Sequence, residues 1–439
     1  MDTVRADRLS CLGYDRDTTP NLDRLASEGA LFTNAFAGDI PTQPSHTAVF
    51  TGRHGINSSI VSHFWPPASL AASIPWLPSI LQAMGRPTGA VDHLFTMKEW
   101  FVRGYDDYLT PPGRSRSPAE VINEIAFPWI ADHARDDFFL FLHYWDAHIP
   151  YVPPSSYIDR FVSDAVRRPD PENMSRISSR PSYALFKRTH YDHLYDFLGH
   201  IPSLEYITSL YDAEVAYLDH HLGRLRAHLE RLGILDDTML VLFGDHGENM
   251  TEHDAWFDHA GLYDSVVHVP LIIRHPTTVA PRRVDAMVQL IDIMPTVCEA
   301  IGLTVPPGVD GVSLAPLMRG ERTEQYDVVH LSEATWQATR GLRTSRWKYL
   351  RSYDPGIYGR TDPQLYDVLA DPDEQLNLAG AHPDVVADLD GRMRRWLDEQ
   401  LRGRPDPMLE VIASGLPAVA RLHGVIAEDR ELALREREA

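Results

Sequence analysis

The sequence predicts an α/β protein with a mostly parallel central sheet sandwiched by helices, followed by a small C-terminal α+β subdomain. Three observations carry this. Segments with strand and helix periodicity alternate along most of the chain, the pattern of a parallel sheet whose crossovers are helices. An apolar run, TMLVLF, ends in the polar loop GDHGE, as strands of such sheets do where they meet a ligand crevice. After about Gly320 the pattern changes to short strands separated by turn residues.

Taken in order, TTPNLDRLASEG places Thr19 as an N-cap, Pro20 at the first helical position and Gly29 as a stop, which predicts a short helix. ALFTNAFA alternates like a strand. In GDIPTQPSHTAVFTGRHG, Pro44 opens a helix that Gly52 closes, so Thr42 falls just before a helix N-terminus. IPWLPSILQAMG, PTGAVDHL, PAEVINEIAFPWIADHA and DDFFLFLHYW read as helix, strand, helix and strand. Residues 153 to 202 are rich in Pro, Ser, Arg and His without periodicity, and read as a long insertion near the site. From Leu204 to Gly233 apolar residues recur at three and four, the mark of an amphipathic helix. TMLVLF and VVHVPLIIRHP are strands, and LIDIMPTVCEAIG is a helix that closes a catalytic domain over 1–320. VVHLSE, RGLRTSRWKYLRSY and QLYDVL, with a helix from His382 to Leu401, make a C-terminal unit over 321–403; 404–439 reads as a solvated helix or tail.

Composition narrows the function classes. The 439 residues are 44% hydrophobic and 23% charged, which suits a globular chain with a sizeable core. A net charge of −21 argues against nucleic acid or an anionic membrane as the main partner, since both need clustered basic residues. Lys98, Lys187 and Lys348 are the only lysines, so a site lysine must be one of these. Cys11 and Cys298 carry no metal or redox spacing and read as small core residues. No apolar run is expected to span a membrane and no export signal precedes the first motif, so the expected location is cytoplasmic.

GDHGE is the sharpest local signal. Asp245 beside His246 at a strand end, with flanking glycines allowing close approach, suits a divalent metal. An Asx-type turn with a satisfied histidine is the plain alternative for the tetrapeptide alone. Three further segments change the balance: Asp2 in MDTVRADRLSCLGYDRDTTPNLDRLASEGALFTNAF, Thr42 in TQPSHTAVFTGRHG, and His148 in HYWDAHIPYVPP. The order Asp, nucleophile loop, His, Asp-His resembles the sulfatase branch of the alkaline-phosphatase-like superfamily, over residues 2 to about 400. LYDAEVAYLD, DGVSLAPLMRG, RTSRWKYL and QLYDVLADPDEQLNLA are similar to that family's later segments.

The resemblance implies one divalent metal, Ca, Mg, Mn or Zn, held by Asp2, Thr42, Asp245 and His246, with Thr42 as nucleophile. His148 would contact the transferring group or the leaving oxygen, and His259 would stand for the family's basic residue after GDHGE. The metal would neutralise charge on a sulfuryl or phosphoryl oxygen and lower the pKa of the Thr42 hydroxyl. Several residues depart from the family pattern. Well-known members carry Cys or Ser at the position of Thr42, converted to formylglycine, and arginine at the position of His46. Threonine, a secondary alcohol, cannot give that aldehyde. Many members have two adjacent aspartates where this chain has Asp2-Thr3. The family's GKWHLG becomes GAVDHLFTMK, which leaves Asp92, His93 and Lys98, with His46, as substrate-binding candidates.

A second metal is held open, because Asp196 and His200 have the DxxGH spacing of two-zinc relatives, with Asp146 and His148 as a rival pair. Glu214 and Asp219 read as structural carboxylates. The resulting expectation is a hydrolase of sulfate or phosphate esters on a small molecule, glycan or lipid, with a covalent Thr42 intermediate. A transferase to an acceptor alcohol and a non-catalytic metal-binding homologue are the alternatives. Asp2 is also expected at the end of the sheet's first strand. With no strand ahead of it, a central slot should stand empty beside unpaired neighbours, and the gene product is expected to begin upstream with an apolar run.

Overall fold

The computed structural model describes every residue except 114–115, 164–165, 167–171, 187–202, 276–279 and 439. Helix α1 (Pro20–Ser27) starts after Thr19 with Pro20 at its first position, as read. The Thr19 hydroxyl does not cap it. Asp219 does so from across the fold, its Oδ1 accepting the amides of Asn21 (3.1 Å) and Leu22 (2.8 Å). Strands β1 (Ala30–Phe36) and the two-residue β2 (Asp39–Ile40) then lead into α2 (Thr42–Thr51), all of whose residues are buried. Gly52 ends α2 with φ 63°, a conformation that costs glycine little. Helix α3 (Leu77–Ala83), strands β3 (Thr88–Val91) and β4 (Asp107–Leu109), helix α4 (Ala119–Asp132) and strand β5 (Phe139–Leu142) follow.

The amphipathic segment forms a 29-residue helix, α5 (Leu204–Leu232), whose cap Ser203 accepts the Tyr206 amide at 3.0 Å. Strands β6 (Leu240–Phe243), β7 (His268–Arg274) and β8 (Arg282–Gln289) and helix α6 (Ile293–Ala300) complete the main layer. β4, β3 and β5 pair in parallel, and β6, β7, β1 and β8 form a second ribbon in which only β7 is antiparallel to its neighbours.

Met1 and Asp2 join the two ribbons. The Met1 amine donates to the Phe243 carbonyl (3.0 Å) and its carbonyl accepts the Asp245 amide (3.3 Å). On the other side the Asp2 amide donates to Tyr144 (2.9 Å) and the Asp2 carbonyl accepts the Ala147 amide (3.3 Å). The sheet is therefore mostly parallel and continuous through these two residues. A cavity of about 760 Å³ lies between β5 and β6.

The second sheet has the order β12-β11-β10-β9-β2, built from β9 (Val328–Ala334), β10 (Ala338–Thr344), β11 (Trp347–Asp354) and β12 (Gln364–Asp367). β2 pairs in parallel with β9, so the segment immediately before Thr42 belongs to the smaller sheet. Helix α7 (Pro383–Leu401) packs Leu389 and Met393 against Leu342, Tyr349 and Leu365.

The residues read as a tail form α8 (Pro407–Ser414) and α9 (Pro417–Glu438), and Met408, Val411 and Leu416 pack with Val61, Ala334 and Ala338. Their composition corrects one expectation. Pro407–Glu428 reaches a mean hydropathy of 1.3 over a membrane-span length, although Gly415 breaks it into two helices.

Candidate active site

The cluster forms where the central strands end. The Met1–Asp2 bridge brings in Asp2, the turn after β6 brings Asp245 and His246, and the start of α2 brings Thr42. Thr42 Oγ1 lies 3.1 Å from His246 Nε2. His246 Nδ1 sits 2.9 Å from the Gly247 carbonyl and donates to it, which fixes the ring and turns Nε2 toward Thr42. Nε2 is 3.5 Å from Asp245 Oδ2 and 4.0 Å from Asp2 Oδ1. Ser45 Oγ donates to the Asp245 carbonyl at 2.7 Å and so ties α2 to the same turn.

A metal fits this donor set. Asp2, Asp245 and His246 each offer an atom within 4.8 Å of the others, and all three are buried. Among the described residues no hydrogen bond reaches either carboxylate oxygen of Asp2, or Oδ2 of Asp245. Buried carboxylates short of donors are costly alone, and two oxygens with one imidazole suit a divalent cation. Burial by itself would raise the Asp245 carboxyl, but His246 and His46 hold it well below the carboxylate range. His246 is shifted the other way: burial lowers it, and Asp245 with Asp2 raise it beyond that.

Two histidines stand behind the carboxylates. His46 Nε2 is 3.4 Å from Asp245 Oδ2, and His143 Nε2 is 3.2 Å from Asp2 Oδ2. His46, His143 and Asp245 form a second group of metal-ligand geometry that shares Asp245 with the first. Burial lowers both imidazoles, but the adjacent Asp2 and Asp92 carboxylates carry His143 up to about 9, whereas His46 stays low. His143 was not singled out in the sequence, although it ends the strand in DDFFLFLHYW.

His259 closes the other side, its ring centroid 4.6 Å from that of His246, 5.4 Å from that of His148 and 4.8 Å from that of Trp336. Burial, then the nearby His246, pushes His259 down to about 4. Its Nδ1 lies 3.4 Å from Glu248, whose buried carboxyl is pushed up to about 8. His148 Nδ1 is 2.6 Å from the Ile149 carbonyl, which occupies that nitrogen.

Other candidates are committed elsewhere. Asp92 accepts the Leu94 amide and the Tyr108 hydroxyl, and reaches the cluster only through His143. His93 pairs with Ser117 Oγ at 3.3 Å, and Lys98 donates to the Pro66 and Ala68 carbonyls at 3.0 and 2.9 Å. Among the described residues neither Asp146 nor His148 belongs to a group of three or more residues with metal-ligand geometry, and burial raises the Asp146 carboxyl. Asp196 and His200 lie outside the described residues. The glycines of GDHG also have a different task from the one expected. A Cβ at Gly247 would meet the Ser265 carbonyl at 2.1 Å, and one at Gly244 the Val4 carbonyl at 2.8 Å, so both serve packing of the turn.

A mostly parallel sheet between helices, with a polar cluster at its carboxyl edge and a smaller C-terminal sheet, is the alkaline-phosphatase-like α/β fold. The chain belongs to the sulfatase family: the profile described as Sulfatase matches residues 1–303, and that described as N-sulphoglucosamine sulphohydrolase, C-terminal, matches residues 251–400. Arylsulfatase K of Mus musculus is 34% identical over 198 residues, covering 43% of this chain and 35% of that protein, so the chain aligns with about a third of that relative's length. A structure in complex with its substrate D-glucosamine-2-N,6-O-disulfate superposes with a TM-score of 0.75 at 20% identity, over 93% of this chain and 98% of the other. Phosphonate monoester hydrolase of Agrobacterium radiobacter gives a TM-score of 0.73 at 22% identity, over 91% of this chain and 94% of the other. At these identities both structural likenesses are of fold.

Proposed function

We propose that the protein hydrolyses sulfate or phosphate esters of a small molecule or glycan through a covalent adduct on Thr42, and turns over phosphorus esters better than sulfate esters. The observation that carries this reading is the placement of Thr42 Oγ1 3.1 Å from His246 Nε2, at the first turn of a buried helix and beside Asp2 and Asp245 oxygens that no donor reaches among the described residues. Asp2, Asp245, His246 and Thr42 would hold one divalent cation, which when bound neutralises charge on the ester oxygens and acidifies the Thr42 hydroxyl. The free amides of Thr42 and Gln43 at the start of α2 add donors for an anion.

Thr42 Oγ attacks the phosphorus or sulfur, its proton passing to solvent, as the bond to the leaving oxygen breaks, and His148 would supply that oxygen with a proton and regain one from solvent. Water then attacks the adduct. His259, neutral near pH 7, would take a proton from this water and return it to Thr42 Oγ as the bond from Oγ to the transferred group breaks, which restores Thr42. A formylglycine hydrate releases sulfate by breaking its own C–O bond with its second hydroxyl. Threonine has no second hydroxyl, so water must attack the transferred group itself, and a phosphoryl group is the more tractable case. The fold shared with a phosphonate monoester hydrolase supports this preference, while the disulfate-bound neighbour supports a sugar ester.

Rapid-quench peptide mass spectrometry places the adduct, and kinetics on matched aryl phosphate, phosphodiester, phosphonate and sulfate esters rank the chemistry. The expected adduct is on Thr42, lost in Thr42→Ala and kept in Ser45→Ala. An adduct on Ser45 would refute the nucleophile, and a clear preference for the sulfate would refute the ranking.

A further inference from the structure

Helix α9 begins at Pro417, beyond the residues matched by either family profile, and two short links tie it to the nucleophile loop. The Ala418 amide donates to the Thr335 carbonyl at 3.2 Å, and the Thr335 hydroxyl accepts the His63 amide at 2.9 Å. The next amide, that of Phe64, donates to Gln43 Oε1 at 2.7 Å, and Gln43 adjoins Thr42. Ala418 and Leu422 pack into the apolar cluster that holds Ile149 and Trp336, which seats the helix against the wall of the site.

Given the ester hydrolysis proposed above, we propose that Arg421, with Arg116, binds a second anionic group carried by the leaving alcohol. The preferred ester then has a carboxylate, sulfate or phosphate beyond the bond that breaks.

Arg421 is exposed on α9, its guanidinium 5.6 Å from the centre of the exposed Phe64 ring. A ring face holds a guanidinium in place and leaves its N–H edges open to another partner. Burial, then the charges of His259, His246 and Arg421, lower the His63 imidazole well below its usual value, so Arg421 acts on the same group as the histidines of the site.

The charges around it favour an anion. Burial lowers the Arg116 guanidinium, Asp2 and Glu248 raise it, and Arg421 lowers it again, so the two cations repel each other. Among the described residues no carboxylate pairs with Arg421. In a chain of net charge −21, an arginine that meets a second arginine and no acid is a place where an anionic ligand gains.

The contacts of Arg116 show which end of the substrate is read. Its Nη1 donates to the Ile149 carbonyl at 2.5 Å, the same oxygen that lies 2.6 Å from His148 Nδ1. His148 is the group proposed at the leaving oxygen, so the anion taken by the arginines belongs to the alcohol and not to the transferred group. Between the nucleophile and Arg421, Gln43 Nε2 and His63 Nδ1 are buried and meet no hydrogen-bond partner among the described residues. The Phe64 amide fixes Gln43 Oε1, so the amide nitrogen is the donor left over, and an oxygen of the bound alcohol satisfies it.

The test uses meta-carboxymethylphenyl esters and their neutral carbamoylmethyl analogues, whose phenols are similar leaving groups, as phosphates and as sulfates. Wild-type kcat/KM is expected to favour the acid by about tenfold, mainly through KM, and less so at high salt. Arg421→Met is expected to bring the ratio near one and Arg421→Glu to invert it; the side chain is exposed, so neither change opens the core. A ratio near one in the wild type, or a preference that survives Arg421→Met, would overturn the proposal. Calorimetric binding of the same esters to Thr42→Ala, with and without Arg421→Met, separates this subsite from the hydrolysis. Tighter binding of the acid that is lost with Arg421 supports the subsite even where no ester is turned over, a result that would count against the hydrolysis alone. Equal affinity of Thr42→Ala for acid and amide, or none for either, overturns the subsite while turnover by the wild type leaves the hydrolysis standing.

Discussion

Lys348 and Asp245 are equally buried, yet their surroundings are built in opposite ways. The Lys348 ammonium is bonded to Asp264 and lies 2.9 Å from Glu374, while Arg343 closes on Asp264 at 3.1 Å. Charges of both signs meet there and tie β10 and β11 to the segment between the GDHGE turn and β7. Around Asp245 the acids face one another and three imidazoles, and several of their oxygens have no donor. Burying charge is costly in both places. In the first the protein offsets the cost with its own side chains, and that cluster holds the fold. In the second the balance is left for a cation, and that cluster is the candidate site.

The largest expected effect lies on the unpaired side. Asp245→Asn keeps the Oδ1 acceptor for the Thr3 and His246 amides but removes one ligand charge, so metal occupancy and turnover should fall together, by about a thousandfold in kcat/KM. Metal-free stability should fall less, although His46 and His246 lose the charged partner that holds the Asp245 carboxyl low. Metal analysis and urea midpoints on the purified variant check both halves, and wild-type metal content with persisting turnover would erase the contrast.

Next is the paired side. Lys348→Met leaves Asp264 and Glu374 facing each other and should cost about 3–5 kcal/mol of stability, read from denaturant unfolding. Turnover per folded molecule should stay within about twofold. A large loss of kcat at unchanged stability would mean that the two clusters are not separate.

Glu333 links them, since it lies on β9 and accepts the Gly261 amide at 2.9 Å, two residues from His259. Burial pushes its carboxyl up to about 8. A raised folded pKa means that its stabilising contribution is complete below the unfolded value, 4.5, and is lost as pH rises through about 8. Wild-type stability should therefore decline across that window, and Glu333→Gln should flatten the decline. Urea midpoints at about pH 5, 6.5 and 8 measure it, and an unchanged slope in the variant would rule Glu333 out as its source.

The smallest effects are expected at His93→Ala and Lys98→Ala, whose side chains bond Ser117 and loop carbonyls outside the cluster. KM on any turned-over ester should move by less than about threefold. A larger rise would return them to the substrate surface.

What could be read without the fold was what depends on near neighbours in sequence. Helix α5 shows in its period, β6 in an apolar run, and the turn with Asp245 and His246 in one pentapeptide. Asp2, Thr42, His148 and His259 were reached through segments that resemble a family. Distant partners were not visible. His143 sat within a quoted strand, but what distinguishes it is a 3.2 Å approach to Asp2, and no local pattern encodes a contact across 140 intervening positions. Asp92, His93 and Asp146 had the right chemistry at plausible strand ends. Their actual partners, Tyr108, Ser117 and Glu214, are set by packing.

By itself the sequence determined the order of strands and helices, the family, and which residue types stand at the strand ends, because periodicity, caps and turn residues act over a few positions. The tertiary structure decided which of those residues converge and in what protonation state. Burial and neighbouring charge lower His259 and raise His143, and Asp219 is spent on capping α1. Only the sheet shows that Met1 and Asp2 join the end of β6 to the segment after β5, because pairing joins backbones remote in the chain.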